Sequence, residues 1–296
     1  MKKITDLLTT TKIISITGNE TVTITDITAD SRQVKKGSLF ICLDGATVDG
    51  HTFAQKAVDA GAVALVVSKD VTVSSDVCII KVEDTRQAMM DIVPSFFDYP
   101  ANKMRMIGVT GTNGKTTTTH MIRHILRSQG HKVGIIGTIH IMIEDKSYPI
   151  HNTTPDVVDL QHILNQMVNE GVTHCIMEVS SHALALGRVS GVEYDTAVFT
   201  NLTQDHLDFH KTFENYLAAK CKLFEQVSAS NQVKTGKGAV INIDDPYGHR
   251  VVEATTAPTM TYSTQGKGTL NAHDVTMTSK TSTYTIEFDG KQYPIK

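Results

Sequence analysis

Residues 108–119, GVTGTNGKTTTT, constrain the fold more than any other stretch of the chain. An apolar run leads into them and an amphipathic run follows, which predicts a buried strand, a glycine turn and a helix. Gly111 and Gly114 have no Cβ, so the backbone can turn sharply and come close to an anion. The free N–H groups and the dipole of a helix N terminus favour negative charge there. The pattern predicts a nucleotide site in which Lys115 reaches the β- and γ-phosphates and the Thr116 hydroxyl binds Mg²⁺.

One position departs from the common phosphate-loop pattern. Val109 stands where that pattern has a glycine, five positions before Gly114. An ordinary strand–turn–helix is the alternative interpretation of a glycine–lysine–threonine match alone. The whole TGTNGKT string is more specific than that match, and it favours nucleotide binding.

Length and composition bound the class of protein. A chain of 296 residues exceeds one average domain, so two domains are expected. The net charge of −3 gives no basic surface for nucleic acid or an anionic membrane, and no apolar run reaches membrane-spanning length. The four cysteines have no metal-ligand spacing, and the N terminus lacks the pattern of a signal peptide. We therefore expect a cytoplasmic protein with reduced thiols that binds neither nucleic acid nor membrane.

Composition and periodicity divide the chain near Pro100, in the linker candidate DYPANK. The expected domains are residues 1–100, an α/β unit, and residues 101–296. In the second domain apolar runs alternate with helical patterns, which predicts an α/β fold with a mainly parallel, doubly wound sheet. Alternating Thr-rich segments after about residue 259 predict an antiparallel segment at the C-terminal end. The chain stops abruptly in that segment, so we expect a fragment of a longer protein.

Three local boundaries are also predicted. Residues 85–97 have helical spacing with Thr85 as a possible N-cap, and Asp156 could cap a helix that runs to Asn169. Alternating isoleucines followed by EDKS predict a hairpin whose turn lies near Asp145.

Polar residues follow three apolar runs, CIMEV, AVFTN and AVINI, at the strand ends where such sheets bind ligands. These residues are Glu178, Ser180, Ser181, Asn201 and Asn242. Glu178 is a candidate metal ligand, because phosphoryl transfer needs Mg²⁺ to neutralise charge, and a surface glutamate is the alternative. Residues 201–210, NLTQDHLDFH, hold two aspartates and two histidines, which would form either part of the site or a solvated loop.

Residues 213–224, FENYLAAKCKLF, have the apolar spacing of an amphipathic helix, and Lys220 lies beside the apolar stripe. A partly desolvated lysine has a lowered pKa and can add CO₂. A lysine that packs its stem and extends its ammonium group to water is the alternative.

Several strings, in their order and spacing, resemble the Mur ligase family. They are TGTNGKTTT, NTTP, MEVSSHAL, FTNLTQDHLD, AAKCKLF and, nearer the N terminus, DSRQVKKGSLFICLDGATVDGH. Within that family they are most similar to the ligases that add the third residue to UDP-N-acetylmuramoyl-L-alanyl-D-glutamate. Folylpolyglutamate synthetase is an alternative that shares the phosphate loop and the modified lysine, but its loop lies near the N terminus. A nucleotide-binding module without catalysis is another alternative.

The resemblance implies roles at matched positions. The residues assigned to ATP binding are Gly111, Thr112, Asn113, Gly114, Lys115, Thr116, Thr117 and Asn242. The residues assigned to binding of the uridine nucleotide are Ser31, Ala46, Thr47, Val48, Asn152, Thr153, Thr154, Ser180 and Arg188. Mg²⁺ ligands would be Thr116, Glu178, His206 and Lys220 as a CO₂-derived carbamate, and the catalytic set is Lys115, Lys220 and His206. Some relatives have glutamine where this chain has Leu186.

The implied activity is ATP-dependent amide formation in peptidoglycan precursor synthesis. The D-glutamate side-chain carboxylate takes the γ-phosphate as an acyl phosphate, and an incoming amine displaces phosphate. The implied partners are the UDP-N-acetylmuramoyl-dipeptide and an amino acid, meso-diaminopimelate or L-lysine, with the former favoured. We expect a monomer. We expect the chain to lack the family's C-terminal ligase domain, and we therefore expect poor ligation by these residues alone.

Overall fold

The computed structural model describes residues 1–45, 48–73, 76–150, 152–228 and 233–296. These residues form two compact units that are not continuous in the chain. The first unit consists of Met1–Pro100, Pro155–Gln166 and Gly187–Gly191, and the second of Ala101–Thr154, Met167–Leu186 and Val192–Lys296. Within the described ranges, no helix is long and apolar enough to cross a membrane.

The first unit is built on a small, mainly parallel sheet. Its strands are β1 (Lys2–Lys3), β2 (Ile13–Thr17), β3 (Thr23–Ile24), β4 (Asp26–Thr28), β5 (Ser38–Ile41), β6 (Ala62–Val67) and β7 (Cys78–Val82). Its helices are α1 (Ile4–Leu7), α2 (Ala54–Asp59) and α3 (Thr85–Phe96), with a 3₁₀ turn at Gly50–Phe53. The sheet order is β2-β7-β6-β5-β4, in which β4 to β7 run parallel and β2 runs antiparallel to β7. β1 pairs separately with β3.

Both faces of this sheet are buried at its central strands β5 and β6. Leu39 and Ile41 of β5 pack in one apolar cluster, whereas Phe40, which lies between them, packs in a second cluster. Successive side chains of a strand point to opposite faces, so apolar residues at consecutive positions require cover on both sides.

The second unit is built on one large sheet. Its strands are β8 (Arg105–Thr110), β9 (Val133–Ile136), β10 (Ile141–Ile143), β11 (Lys146–Tyr148), β12 (His174–Glu178), β13 (Thr196–Phe199), β14 (Gly238–Asn242), β15 (Thr259–Ser263), β16 (Leu270–Met277), β17 (Ser282–Phe288) and β18 (Lys291–Ile295). The remaining helices, of which α5 runs across both units, are α4 (Lys115–Ser128), α5 (Val157–Asn169), α6 (Ser181–Ala185), α7 (Leu207–His210), α8 (Phe213–Ser228) and α9 (Gly248–Glu253), with a 3₁₀ turn at Pro100–Lys103.

The strand order in this sheet is β11-β10-β9-β12-β8-β13-β14-β15-β16-β17-β18. Neighbours from β9 to β16 run parallel, and the pairs at the two outer ends, β10 with β11 and β17 with β18, are antiparallel. The predicted α/β fold, with a mainly parallel sheet and an antiparallel C-terminal segment, is confirmed.

The register of the central strands brings their carboxyl ends to one edge. Val109 of β8 pairs with Glu178 of β12, and Thr110 pairs with Phe199 of β13. A Cβ added to Gly108 would lie 3.0 Å from Leu223 of α8, so this glycine lets the helix pack closely on the central strand. Residues that follow β8, β12 and β13 are therefore neighbours in space.

The local boundaries agree with the sequence in two cases and differ in one. β10 and β11 form the predicted hairpin, and α5 begins directly after Asp156 and ends at Asn169. Asp84, not Thr85, caps α3, because its carboxylate accepts hydrogen bonds from the N–H groups at the start of the helix, whereas Thr85 is buried. The four cysteines carry free thiols.

Candidate active site

The phosphate loop, residues 111–117, joins the central strand β8 to α4. Gly111 has φ +150° and Gly114 has φ +84°, conformations that favour glycine. A Cβ on Gly111 would lie 1.9 Å from the Thr200 hydroxyl, so no larger residue fits the turn as it stands. Lys115 begins α4, and Thr117 lies in its first turn. The first N–H groups of a helix have no acceptor within the helix, which makes this end suited to an anion.

Lys115 is held by the loop that it follows. Its Nζ atom donates hydrogen bonds of 2.9 Å to the carbonyl oxygens of Gly111 and Thr112. Burial lowers the pKa of Lys115, while the carboxylates of Glu178 and Asp205 act in the opposite sense. The structure thus places Lys115 at the turn, and its contact with the phosphates stays a prediction.

Thr200 and Asn201, which follow β13, make hydrogen bonds to the phosphate loop. The Asn201 amide accepts a hydrogen bond from the Asn113 N–H at 2.9 Å and donates one to the Asn113 carbonyl at 3.0 Å. The Thr200 hydroxyl donates to the same carbonyl at 2.7 Å. No role for Thr200 was predicted from the sequence, although its position at the end of the apolar run of β13 could have indicated one.

Glu178 is the buried acid of the site, with 1% of its surface exposed. One carboxylate oxygen accepts hydrogen bonds from the hydroxyls of Thr116 and Thr138, both at 3.0 Å. The other accepts from the Thr138 N–H, also at 3.0 Å. Thr138, which lies just beyond β9 at the same edge of the sheet, was not predicted from the sequence.

The oxygen donors of this group fit a magnesium ion. Mg²⁺ is usually bound through one or two carboxylates together with water and phosphate oxygens. The Glu178 carboxylate and the Thr116 hydroxyl supply such donors beside the phosphate loop. Within the part of the chain that the structure describes, no group of three or more His, Cys, Asp or Glu side chains is arranged to hold a metal ion alone.

His206 lies just before α7, in a left-handed backbone conformation with φ +54°. Its ring is 4.7 Å from that of His182 and 6.1 Å from that of Tyr216, measured between ring centres. His210 is buried, and its Nε2 atom is 2.9 Å from the Ser181 hydroxyl. Burial, with His182 and His206 nearby, lowers the pKa of His210. The assignment of His206 as a metal ligand stays a prediction.

Lys220 lies inside the protein, with 1% of its surface exposed. Its Nζ atom is 4.5 Å from the centre of the Tyr216 ring. Burial, together with the charge of Lys115, lowers the pKa of Lys220 to about 7. The burial excludes the alternative of an ammonium group extended to water. The Tyr216 hydroxyl lies 3.0 Å from the Thr112 hydroxyl, so α8 contacts the phosphate loop beside the lysine.

Asn242 ends β14, near the Thr200 backbone. Its side chain donates to the Thr200 carbonyl at 2.8 Å and accepts from the Asp244 N–H at 3.0 Å. Both ends of the amide are therefore engaged, and its contact with adenine stays a prediction.

The residues assigned to the uridine nucleotide fall in both units. In the second unit the Thr154 hydroxyl donates to the Glu178 carbonyl at 2.9 Å and accepts from the Ser180 N–H at 3.1 Å. Thr153 lies within 3.1 Å of the Thr138 hydroxyl, whereas Asn152 is exposed.

In the first unit Ser31 follows β4 and Val48 is exposed. The Arg188 Nε atom is buried and has no hydrogen-bond partner among the described residues. Ala46 and Thr47 lie outside the described residues.

A phosphate loop at the carboxyl edge of a mainly parallel sheet, with a buried acid from the neighbouring strand, is typical of α/β proteins that bind phosphate. The family profile described as the Mur ligase middle domain matches residues 109–296. A second profile, described as the Mur ligase family catalytic domain, matches residues 23–96. The chain belongs to the Mur ligase family.

Relatives within the family carry a more specific name. UDP-N-acetylmuramoyl-L-alanyl-D-glutamate–2,6-diaminopimelate ligase of Bacillus licheniformis is 45% identical over 285 residues, which are 96% of this chain and 58% of that protein. A solved structure of a ligase with the same name has a TM-score of 0.79 and 29% identity, covering 92% of this chain and 55% of that chain. The chain therefore spans less than two thirds of the length of these relatives.

A more distant structure bears on the folate alternative. Folylpolyglutamate synthase of Mycobacterium tuberculosis, solved with ADP and AMPPCP, has a TM-score of 0.54 and 14% identity, over 70% of this chain and 52% of that one. At that identity the likeness shows a shared fold alone.

Proposed function

We propose that this chain acts in ATP-dependent amide formation on UDP-N-acetylmuramoyl-L-alanyl-D-glutamate, with meso-diaminopimelate as the amino acid added. The observation that carries the proposal is the joint geometry of the phosphate loop and Glu178, linked by the Thr116 hydroxyl at 3.0 Å. The name of the 45% identical relative supports diaminopimelate over L-lysine. The protein would act in the cytoplasm as a monomer.

The chain's own residues would orient the phosphate chain and neutralise its charge. Lys115 would exchange its loop carbonyl partners for phosphate oxygens, which form stronger, charge-assisted hydrogen bonds. Thr116 and Glu178 would hold Mg²⁺, which neutralises charge on the phosphoryl oxygens when bound. The substrate carboxylate would attack the γ-phosphate and release ADP. An amine would then attack the acyl carbon, lose a proton and release phosphate.

Lys220 would enter this site as a carbamate. Its neutral amine nitrogen would add to the carbon of CO₂ and lose a proton, which converts a buried cation into a carboxylate-like anion. The lowered pKa and the burial of Lys220 support this step, because only the neutral amine reacts. The carbamate and His206 would then be available to a second Mg²⁺.

The uridine nucleotide would be held by Ser31, Ala46, Thr47, Val48, Asn152, Thr153, Thr154, Ser180 and Arg188. Arg188 has a buried Nε donor without a partner among the described residues, as expected for a group that a ligand satisfies. Asn242 and residues 111–117 would hold ATP.

Calorimetric titration with UDP-N-acetylmuramoyl-L-alanyl-D-glutamate tests the proposal. The wild-type chain is expected to bind, and Arg188→Ala to weaken binding about ten-fold or more, since a charge-assisted contact is lost. Arg250→Ala, at an exposed surface arginine, is the matched control and is expected to bind normally. Binding of a folate instead of the uridine nucleotide would contradict the proposal.

A further inference from the structure

Thr138 donates hydrogen bonds to both oxygens of the Glu178 carboxylate. Its N–H donates to one oxygen and its hydroxyl to the other, each at 3.0 Å. Two donors from one residue fix the plane of a carboxylate, where a single donor would leave it free to rotate. Thr138 is itself exposed, whereas Glu178 is buried.

Gly137 shapes the same turn to admit the carboxylate. A Cβ at this position would lie 2.3 Å from the Glu178 oxygen that the Thr138 N–H contacts. The absence of that atom leaves room for Glu178 and for no larger side chain at position 137.

The hydroxyl of Thr138 also contacts residues 152–154, which we call the substrate loop. The Thr138 and Thr153 hydroxyl oxygens are 3.1 Å apart. Each hydroxyl has one proton. Thr138 is the donor in both of its hydroxyl contacts, so the Glu178 carboxylate and the Thr153 hydroxyl share its one proton. Thr154 donates to the Glu178 backbone carbonyl at 2.9 Å.

We propose that Thr138 is a positioning residue, which orients the Glu178 carboxylate toward the metal and also contacts the Thr153 hydroxyl of the substrate loop. This inference rests on the proposed function, because it takes Glu178 as the Mg²⁺ ligand beside the phosphate loop. It adds a residue that acts through Glu178 rather than on the nucleotide, and it links the substrate loop to the metal.

The test is a calorimetric titration of ADP into the 296-residue chain, with Mg²⁺ and with EDTA. In wild type Mg²⁺ is expected to tighten ADP binding. In Thr138→Val that gain is expected to fall about ten-fold, because a hydrogen bond to a charged group is lost. Thr138→Ser keeps the hydroxyl and should restore the gain, and affinity in EDTA should stay the same in all three proteins. A purely structural role for Thr138 would lower both affinities together.

Two further variants test the geometry without removing the Thr138 donors. Gly137→Ala should lose the Mg²⁺ gain, since its methyl group would displace the Glu178 carboxylate. Thr153→Val removes the competing acceptor for the Thr138 proton and should keep the full gain, and no uridine nucleotide is present to affect the result. Thr281→Val, in the exposed turn before β17, is the matched control.

A normal Mg²⁺ gain in both Thr138→Val and Gly137→Ala would overturn the inference and leave the proposed function standing. Absence of ADP binding in wild type would instead overturn the proposed function, and the inference with it.

Discussion

At the scale of single residues, close packing and burial decide what the site can do. Gly111 allows the loop backbone to approach Thr200, and Lys220 is buried against the Tyr216 ring. The positions of Lys115, Thr116 and Glu178 could be predicted from sequence, because each follows a strand or begins a helix, and their roles in binding a magnesium nucleotide stay predictions.

The contacts of Thr138 and Tyr216 could not be predicted from the sequence. Their partners are Glu178, 40 residues away, and Thr112, 104 residues away, and sequence spacing carries no information on such contacts.

Gly111→Ala is predicted to lower the free energy of unfolding by about 3 kcal/mol, because the new methyl group would overlap the Thr200 hydroxyl. Gly130→Ala is the matched control: Gly130 also has positive φ, but an added Cβ would meet nothing within 4 Å. Backbone strain alone should cost this control about 1 kcal/mol. Urea denaturation measures both values, and equal losses would show that the contact with Thr200 is unimportant.

Lys220 is predicted to form a carbamate in bicarbonate buffer. With the pKa lowered to about 7, the neutral amine predominates above that pH and adds CO₂, and protonation below it prevents the reaction. ¹³C NMR with labelled bicarbonate should show a carbamate carbon at pH 8 that weakens as the pH falls through 7. Lys220→Met should abolish the signal, whereas Lys222→Met, at an exposed position, should keep it. A signal that persists in Lys220→Met would disprove the assignment.

At the scale of elements, the two ends of the central strands carry different kinds of side-chain groups. The carboxyl ends carry the candidate site, and the amino ends are joined by ion pairs around the buried Asp195. Asp195 accepts hydrogen bonds from Lys234 at 2.6 Å, Arg105 at 2.5 Å and the Met106 N–H at 2.7 Å. Burial alone would raise the pKa of Asp195, but these donors outweigh it and lower the pKa.

Asp195→Asn is predicted to lower the free energy of unfolding at pH 7 by about 3 kcal/mol, since it leaves Lys234 buried without its charge partner. A lowered folded-state pKa means that the Asp195 contribution is complete above the ordinary aspartate pKa of 3.8 and is lost as pH falls further. The difference between wild type and variant should therefore shrink below about pH 4. Asp145→Asn, at an exposed ion pair, should change stability little. A difference that stays constant from pH 7 to pH 3 would contradict this prediction.

Helices and strands were predictable where one periodicity dominates. The alternating hairpin and the parallel runs of the second unit followed directly from apolar spacing. The cap of α3 did not, because Asp84 and Thr85 are both good N-cap residues and adjacent in sequence. The hydrogen bonds that the Asp84 carboxylate accepts and the burial of Thr85 distinguish them in the structure.

At the scale of the whole molecule, the chain returns to its first unit twice. Pro155–Gln166 and Gly187–Gly191 belong to that unit although they follow the phosphate loop in sequence. Apolar periodicity is a local signal, so it identified α5 as a helix but not the unit in which most of α5 packs. The sequence pattern therefore predicted a single boundary near residue 100, and the segments that return could not be seen in it.

The central claim is that the carboxyl edge of the large sheet binds a magnesium nucleotide, and titration of a non-hydrolysable ATP analogue tests it most directly. We predict saturable binding that Mg²⁺ strengthens and that Lys115→Ala weakens about ten-fold or more. Lys103→Ala, at an exposed lysine of the same unit, should bind as wild type does. Absence of binding in wild type, or equal affinity in Lys115→Ala, would contradict the claim.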